Sequence, residues 1–159
     1  MGLDMFLTGD KYVPKYQDKL PKSLGQQLGE KVDGYPVESL RLTMISRGDW
    51  AREKVDGYPV ESLRLTMGYW RGDWALHNYI MDNHGDDDGR KIGLGPIALR
   101  DIADAVEQDE IPDGFTSEAE DPYKEPERVA ATVKIFRDAA DWLDNLDNTA
   151  LSVEYYGSW

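Results

Sequence analysis

The chain has 159 residues, 40% hydrophobic and 31% charged, with no cysteine. That is enough for one domain with its own core, and it excludes disulfides, thiolate metal sites and a cysteine nucleophile. The formal net charge is −13, a sign that repels phosphate backbones and anionic membranes and attracts basic surfaces.

The charge is unevenly placed. Residues 1–80 carry eleven basic and eleven acidic side chains, whereas residues 81–159 carry seven and twenty. The whole net charge therefore belongs to the second half. Direct nucleic-acid binding and membrane association are not expected. Apolar runs are far shorter than a membrane span, Met1–Leu7 has no basic or long apolar segment of a secretory signal, and the lack of cysteine suits a reducing compartment. The expected location is the cytoplasm, with a virion as the other possibility.

In chain order, Leu3, Met5 and Leu7 alternate with Asp4, Phe6 and Thr8, the period of a half-buried strand. Gly2–Val13 therefore reads as a strand or hairpin, with Gly9-Asp10 as its turn and Pro14 ending regular pairing. Tyr16–Gly29 is polar and reads as a loop.

A duplication follows. EKVDGYPVESLRLTM runs from Glu30 to Met44 and recurs unchanged from Glu53 to Met67, and RGDWA follows each copy, at Arg47–Ala51 and Arg71–Ala75. The tandem units are 30–52 and 53–75. Each offers a turn at Asp-Gly and then a strand at SLRLTM. In the second copy Leu63, Leu65, Met67 and Tyr69 are expected on the core face, with Ser62, Arg64, Thr66 and Trp70 opposite. Asp49 and Asp73 stand at helix N-cap positions, and only the second precedes a segment with an apolar side, Trp74–Asn83. Two identical strands must compete for one central site. Tyr69-Trp70 and the helix behind them favour the second copy, which leaves the first as an edge strand or one swapped into a second molecule. On this reading, removing residues 30–52 leaves a folded monomer.

Asn83–Gly89 is a loop, Lys91–Leu94 a short strand, and Pro96–Gln108 a helix with Leu99, Ile102, Ala103 and Val106 inward. Asp109–Lys124 reads as an acidic exposed loop. Pro126–Leu146 is the longest helix, with Val129, Val133, Phe136, Ala140 and Leu143 at helical spacing. Leu151, Val153 and Tyr155 alternate in a closing strand. The expected fold is a single α+β domain, residues 1–159, with a small, mostly antiparallel sheet of three to five strands and about three helices on one face.

Candidate chemistry is sparse. Arg71, His77 and Asp4 could converge at a sheet edge to bind an anion or act as acid and base; the plainer reading is a local ion pair and a packing histidine. His84 with Asp86, Asp87 and Asp88 could bind a cation through oxygen ligands, but the EF-hand spacing fails and a solvated loop is the simpler account. The two RGD tripeptides sit at helix entries. Gly93-Leu94-Gly95 lacks the rest of a dinucleotide fingerprint. No cofactor and no metal site is expected, and an enzyme is the less favoured class.

Three ordered segments carry a resemblance: MGLDMFL at Met1–Leu7, YWRGDWALHNYIM at Tyr69–Met81 and YYGSW at Tyr155–Trp159. Together they resemble a family of small uncharacterised proteins of bacteriophages and bacteria that opens with MGLDMYL, carries a YWRKANAIHNWFV-like centre and closes on YYxSSW. Gly72, Asp73 and Trp74 depart from that pattern, and so does the additional copy at 30–52. The resemblance implies a phage-type origin and a shared fold, without an activity.

The functional expectation is a non-enzymatic acidic protein that docks on a basic host or phage protein surface. Asp86, Asp87, Asp88, Asp109, Glu110, Glu118, Glu120 and Asp121 are its candidate contact residues. The alternatives are a virion or assembly component, with Tyr155, Tyr156 and Trp159 packing against neighbours, and a ligand-binding domain or small enzyme built on Arg71, His77 and Asp4.

Overall fold

Two identical strands cannot fill one place in a sheet, and the structure separates them. It is a computed structural model that describes residues 2–12, 31–42, 54–55, 58–85, 91–112 and 125–159. Its strands are β1 (Asp4–Tyr12), β2 (Lys31–Val32), β3 (Tyr35–Leu42), β4 (Lys54–Val55), β5 (Tyr58–Arg71), β6 (Lys91–Gly93) and β7 (Ala150–Ser158). Its helices are α1 (Trp74–His84), α2 (Pro96–Glu107) and α3 (Glu125–Asp144), followed by a 3-10 turn at Leu146–Asn148. Tyr16–Gly29 and most of the Asp109–Lys124 loop lie outside the described residues, as do Asp86–Asp88, Glu118, Glu120 and Asp121.

The strand order is β2-β3-β5-β1-β7-β6, with β4 paired to β5 off that path, and every pairing among the described residues is antiparallel. The α+β class is as expected. The strands outnumber the expected three to five because a two-residue strand pairs with the start of each copy's long strand, adding β2 and β4. In the first copy Asp33 and Gly34 both have positive φ, 53° and 87°, the signature of the two-residue turn whose twist matches that of paired strands. The second copy, in β5, lies between β1 and β3. The first copy, in β3, is bordered on its far side, among the described residues, by the two-residue β2.

On one face, Leu3, Met5, Leu7 and Leu65 are fully buried, joined by Val153 and Tyr155 of β7. α3 crosses that face against β5 and β7, and α2 packs beside α3. The other face is open and its charges neutralise one another. Arg64 Nε lies 3.1 Å from Asp10 Oδ1 and Arg64 Nη2 3.7 Å from Glu154 Oε2, and Lys91 Nζ lies 3.0 Å from the same Glu154 oxygen.

Three local expectations are corrected, each for a steric or register reason. Gly9-Asp10 is not a turn: both residues continue β1. A side chain at Gly9 would come within 2.4 Å of Met67 Cε and 3.0 Å of the Trp142 ring, so this glycine is a notch that lets α3 sit down on the sheet. Tyr69 and Trp70 exchange their expected faces. The ladder pairs Leu7 with Gly68 but Thr8 with Thr66, so Met67 is an additional residue. This bulge turns Trp70 inward, at 4% exposure, and Tyr69 outward, at 51%. A side chain at Gly68 would meet the Trp70 ring at 2.6 Å. The third is Leu151, which is exposed because the β1–β7 register skips it, pairing Asp10 with Ser152 and Lys11 with Ala150.

The first copy is anchored as well as paired. Asp33 Oδ2 accepts from Lys11 Nζ at 2.6 Å and from Trp142 Nε1 at 3.0 Å, and Val37 is buried.

Candidate functional site

Arg71 ends β5, and the chain reverses at Gly72, whose φ of 74° is a conformation that favours glycine. The Gly72 amide donates to the Leu3 carbonyl at 2.8 Å. Asp73 then caps α1, its Oδ1 accepting from the Leu76 amide at 3.0 Å, as its position predicted.

At this corner lies a cleft of about 760 Å³ between the end of β5 and α3, whose lining includes Arg71, Arg128, Tyr69, Trp74, Thr132 and Ile135. Among the described residues no carboxylate lines it. Arg71 is exposed. Guanidinium groups and aromatic rings in one cleft are the chemistry that recognises a carboxylate or phosphate.

The structure brings two of the three predicted residues together. Asp4 and Arg71 face each other in the β1–β5 ladder, and the Asp4 carboxylate accepts from the Tyr69 hydroxyl at 2.6 Å. That bond, first of all, pushes the Tyr69 phenol above its usual range.

His77 lies apart, behind Trp74, and does not line the cleft. It is buried, with Nδ1 2.6 Å from the Tyr155 hydroxyl and its ring against Trp74 and Trp159. Burial lowers its pKa and raises that of Tyr155, so a neutral phenol and a neutral imidazole share this hydrogen bond, with the donor set by the imidazole tautomer. A side chain at Gly157 would come within 2.7 Å of the imidazole, so β7 is shaped around the histidine. Tyr155 is fully buried and is corrected as a candidate for packing against neighbours; Tyr156 and Trp159 are exposed.

His84 Nε2 lies 2.9 Å from Asp101 Oδ2, which also accepts from the Tyr79 hydroxyl at 2.9 Å, tying α1 to α2. Among the described residues no group of three or more His, Asp or Glu side chains could hold a metal ion.

The helical layer is the acidic part of the described surface. Residues 96–112 and 125–149 hold eleven carboxylates against four basic side chains. Arg137 spans from α3 to Asp104 and Glu107 of α2, and Arg100 spans from α2 to Asp141 and Asp144 of α3. Asp109 and Glu110, beyond the end of α2, are exposed and take no ion pair among the described residues.

Sequence reading missed the α3 side of the cleft, Arg128 and Thr132, because nothing local signals that α3 crosses over Arg71. It also missed the burial of Asp73. This side chain is fully buried, with Oδ2 lacking a hydrogen-bond partner among the described residues. Desolvation pushes its pKa up to about 6, against the opposing pull of the Leu76 amide and Arg128.

The native carboxyl thus keeps its proton to about pH 6, whereas the unfolded one releases it near 4. Between those values the native state binds more protons, so this group makes stability fall as pH rises. Asp73→Asn keeps a capping oxygen and removes the charge. The stability of this variant relative to wild type is expected to rise by on the order of 2–3 kcal/mol between about pH 4 and pH 7, read from urea unfolding at each pH. A difference that stays flat across the range contradicts the assignment.

Comparison with protein-family models, curated proteins and solved structures gave no match. No helix among the described residues is long and apolar enough to cross a membrane.

Proposed function

We propose that this chain is a non-enzymatic interaction protein of bacteriophage type, working in the host cytoplasm, whose acidic helical layer docks on a basic surface of a host or phage protein. The observation that supports it most is the segregation of charge. The α2–α3 layer carries a net −7 over residues 96–112 and 125–149, while the open sheet face cross-neutralises Asp10, Arg64, Glu154 and Lys91. Such a surface steers a basic partner and sets the rate of encounter more than the final affinity.

A second reading, small-anion binding, is favoured by the cleft at Arg71 and rests on that exposed guanidinium beside two aromatic rings, with no carboxylate in the lining among the described residues.

One set of variants separates the two. Capture of a bacterial partner by the docking surface should weaken steeply as salt rises from about 0.1 M to about 1 M, where the screening length shrinks from about 10 Å to about 3 Å. It should be lost in the Asp109→Lys, Glu110→Lys double variant and kept in Arg71→Ala. Anion binding predicts instead a phosphate-dependent thermal shift that Arg71→Ala abolishes. Capture that is indifferent to salt and to both lysines would remove the docking proposal.

A further inference from the structure

The two copies of the repeat do not merely lie side by side; they pair as equals. Leu40 of β3 faces Leu63 of β5, which is the same residue one repeat later. Ser39 faces Arg64 and Arg41 faces Ser62, the same pair seen from either copy. Val37 faces Leu65 and Leu42 faces Val60, again one pair seen twice. Even the two register shifts, between Val37 and Ser39 and between Arg41 and Leu42, fall at positions that the symmetry interchanges. The small hairpins repeat as well: Lys31 with Pro36 and Val32 with Tyr35 become Lys54 with Pro59 and Val55 with Tyr58. Exchanging the copies therefore leaves every pairing between and within them in place, about a local two-fold axis through Leu40 and Leu63.

An antiparallel pair of identical segments related by a two-fold axis has the geometry of an isologous dimer interface, in which one patch recognises itself. We infer that the β3–β5 junction is such an interface held within one chain, and that the partner this edge of β5 selects, when β3 is withdrawn, is the β5 edge of a second copy of this chain. The physical reasons are two. Without β3, the β5 edge over Val60–Leu65 loses the strand that pairs its backbone amides and carbonyls, and an open edge templates another strand. An identical strand satisfies it in a register that the duplicated chain already uses, pairing Leu63 with a second Leu63 and Leu65 with Val60 of the other chain. Covalent linkage keeps the pairing internal in the present chain through high effective concentration. The same symmetry lets two chains exchange first copies without altering a single pair. This register revises the expectation that a chain shortened by residues 30–52 is a monomer.

The test uses the absence of native cysteine. Two proteins are made, one lacking residues 30–52 and one of full length carrying Leu40→Pro, which blocks β3 pairing and leaves the second copy untouched. Each is expected to double its mass in light scattering as concentration rises. With Leu63→Cys added, each should oxidise to a covalent dimer, because residue 63 sits on the axis and meets itself. Val60→Cys, which meets residue 65 of the other chain, should not. Folded monomers, or cross-linking at 60 in preference to 63, would overturn the inference. Failure of both proteins to fold would overturn it equally, since self-pairing is held to replace β3.

Discussion

Trp70→Ala is expected to cost about 3–5 kcal/mol, whereas Tyr69→Ala, one residue away, should cost less than about 1 kcal/mol. The Trp70 indole is buried, stacks on Phe136 at a centroid distance of 5.2 Å and 12° between planes, and donates from Nε1 to Thr132 Oγ1 at 3.0 Å. Truncation opens a cavity between β5 and α3 and leaves a hydroxyl that is 1% exposed without its partner. Tyr69 is half exposed, touches Phe6 and donates to Asp4 at the surface, so most of what it loses is returned by water. Urea unfolding followed by circular dichroism measures both. The reverse order of costs would mean that the bulge at Met67–Gly68 does not exist, because a strand of unbroken period puts Tyr69 inside and Trp70 outside.

Leu65→Asp is expected to leave no folded population at neutral pH. Leu65 is fully buried and paired on both sides, to Gly9 of β1 and Val37 of β3. A carboxylate there would sit within the buried apolar cluster, and an uncompensated buried charge costs about 3–5 kcal/mol from a margin of about 5–15 kcal/mol. The loss of the leucine's own packing adds about 2–5 kcal/mol. The same change at Leu42, its counterpart in the first copy, should cost distinctly less, since β3 borders on its far side, among the described residues, only the two-residue β2. Equal losses in the two variants would show that the copies share the core equally.

Much of this architecture could be read from the chain because its elements follow local rules. Alternation marked β1, Pro96 and Asp73 marked two helix starts, and the inward residues of α2 fell at helical spacing. What escaped was phase. A period-two pattern carries through a bulge with the wrong sign, and both bulges, at Met67 and Leu151, misplaced the side chains beside them. One clue was present. The two RGDWA segments are offset by 24 residues while the fifteen-residue copies are offset by 23, and the single surplus residue accompanies the bulge that sends Trp70 inward. Gly9 was misread for a related reason: a glycine cleared for a neighbouring ring has the same letter as one that turns the chain.

The candidate site was legible in part. Arg71 and Asp4 could be placed across from each other because both flank segments of clear strand pattern. Nothing near His77 foretold that Gly157, eighty residues on, leaves the room that draws it inward. Arg128 and Thr132 reach the cleft only through the crossing of α3 over the sheet, a tertiary fact with no local signature. The charge asymmetry, by contrast, needed no coordinates.

One copy of the repeat belongs to the core and the other borders it. Native-state hydrogen exchange by NMR tests this most directly, because corresponding amides in the two copies share sequence and therefore intrinsic exchange rates. The amides of Leu63 and Leu65 are expected to exchange only through global unfolding, and those of Leu40 and Leu42 through a local opening of lower free energy. Equal protection in both copies, or greater protection in the first, would contradict it.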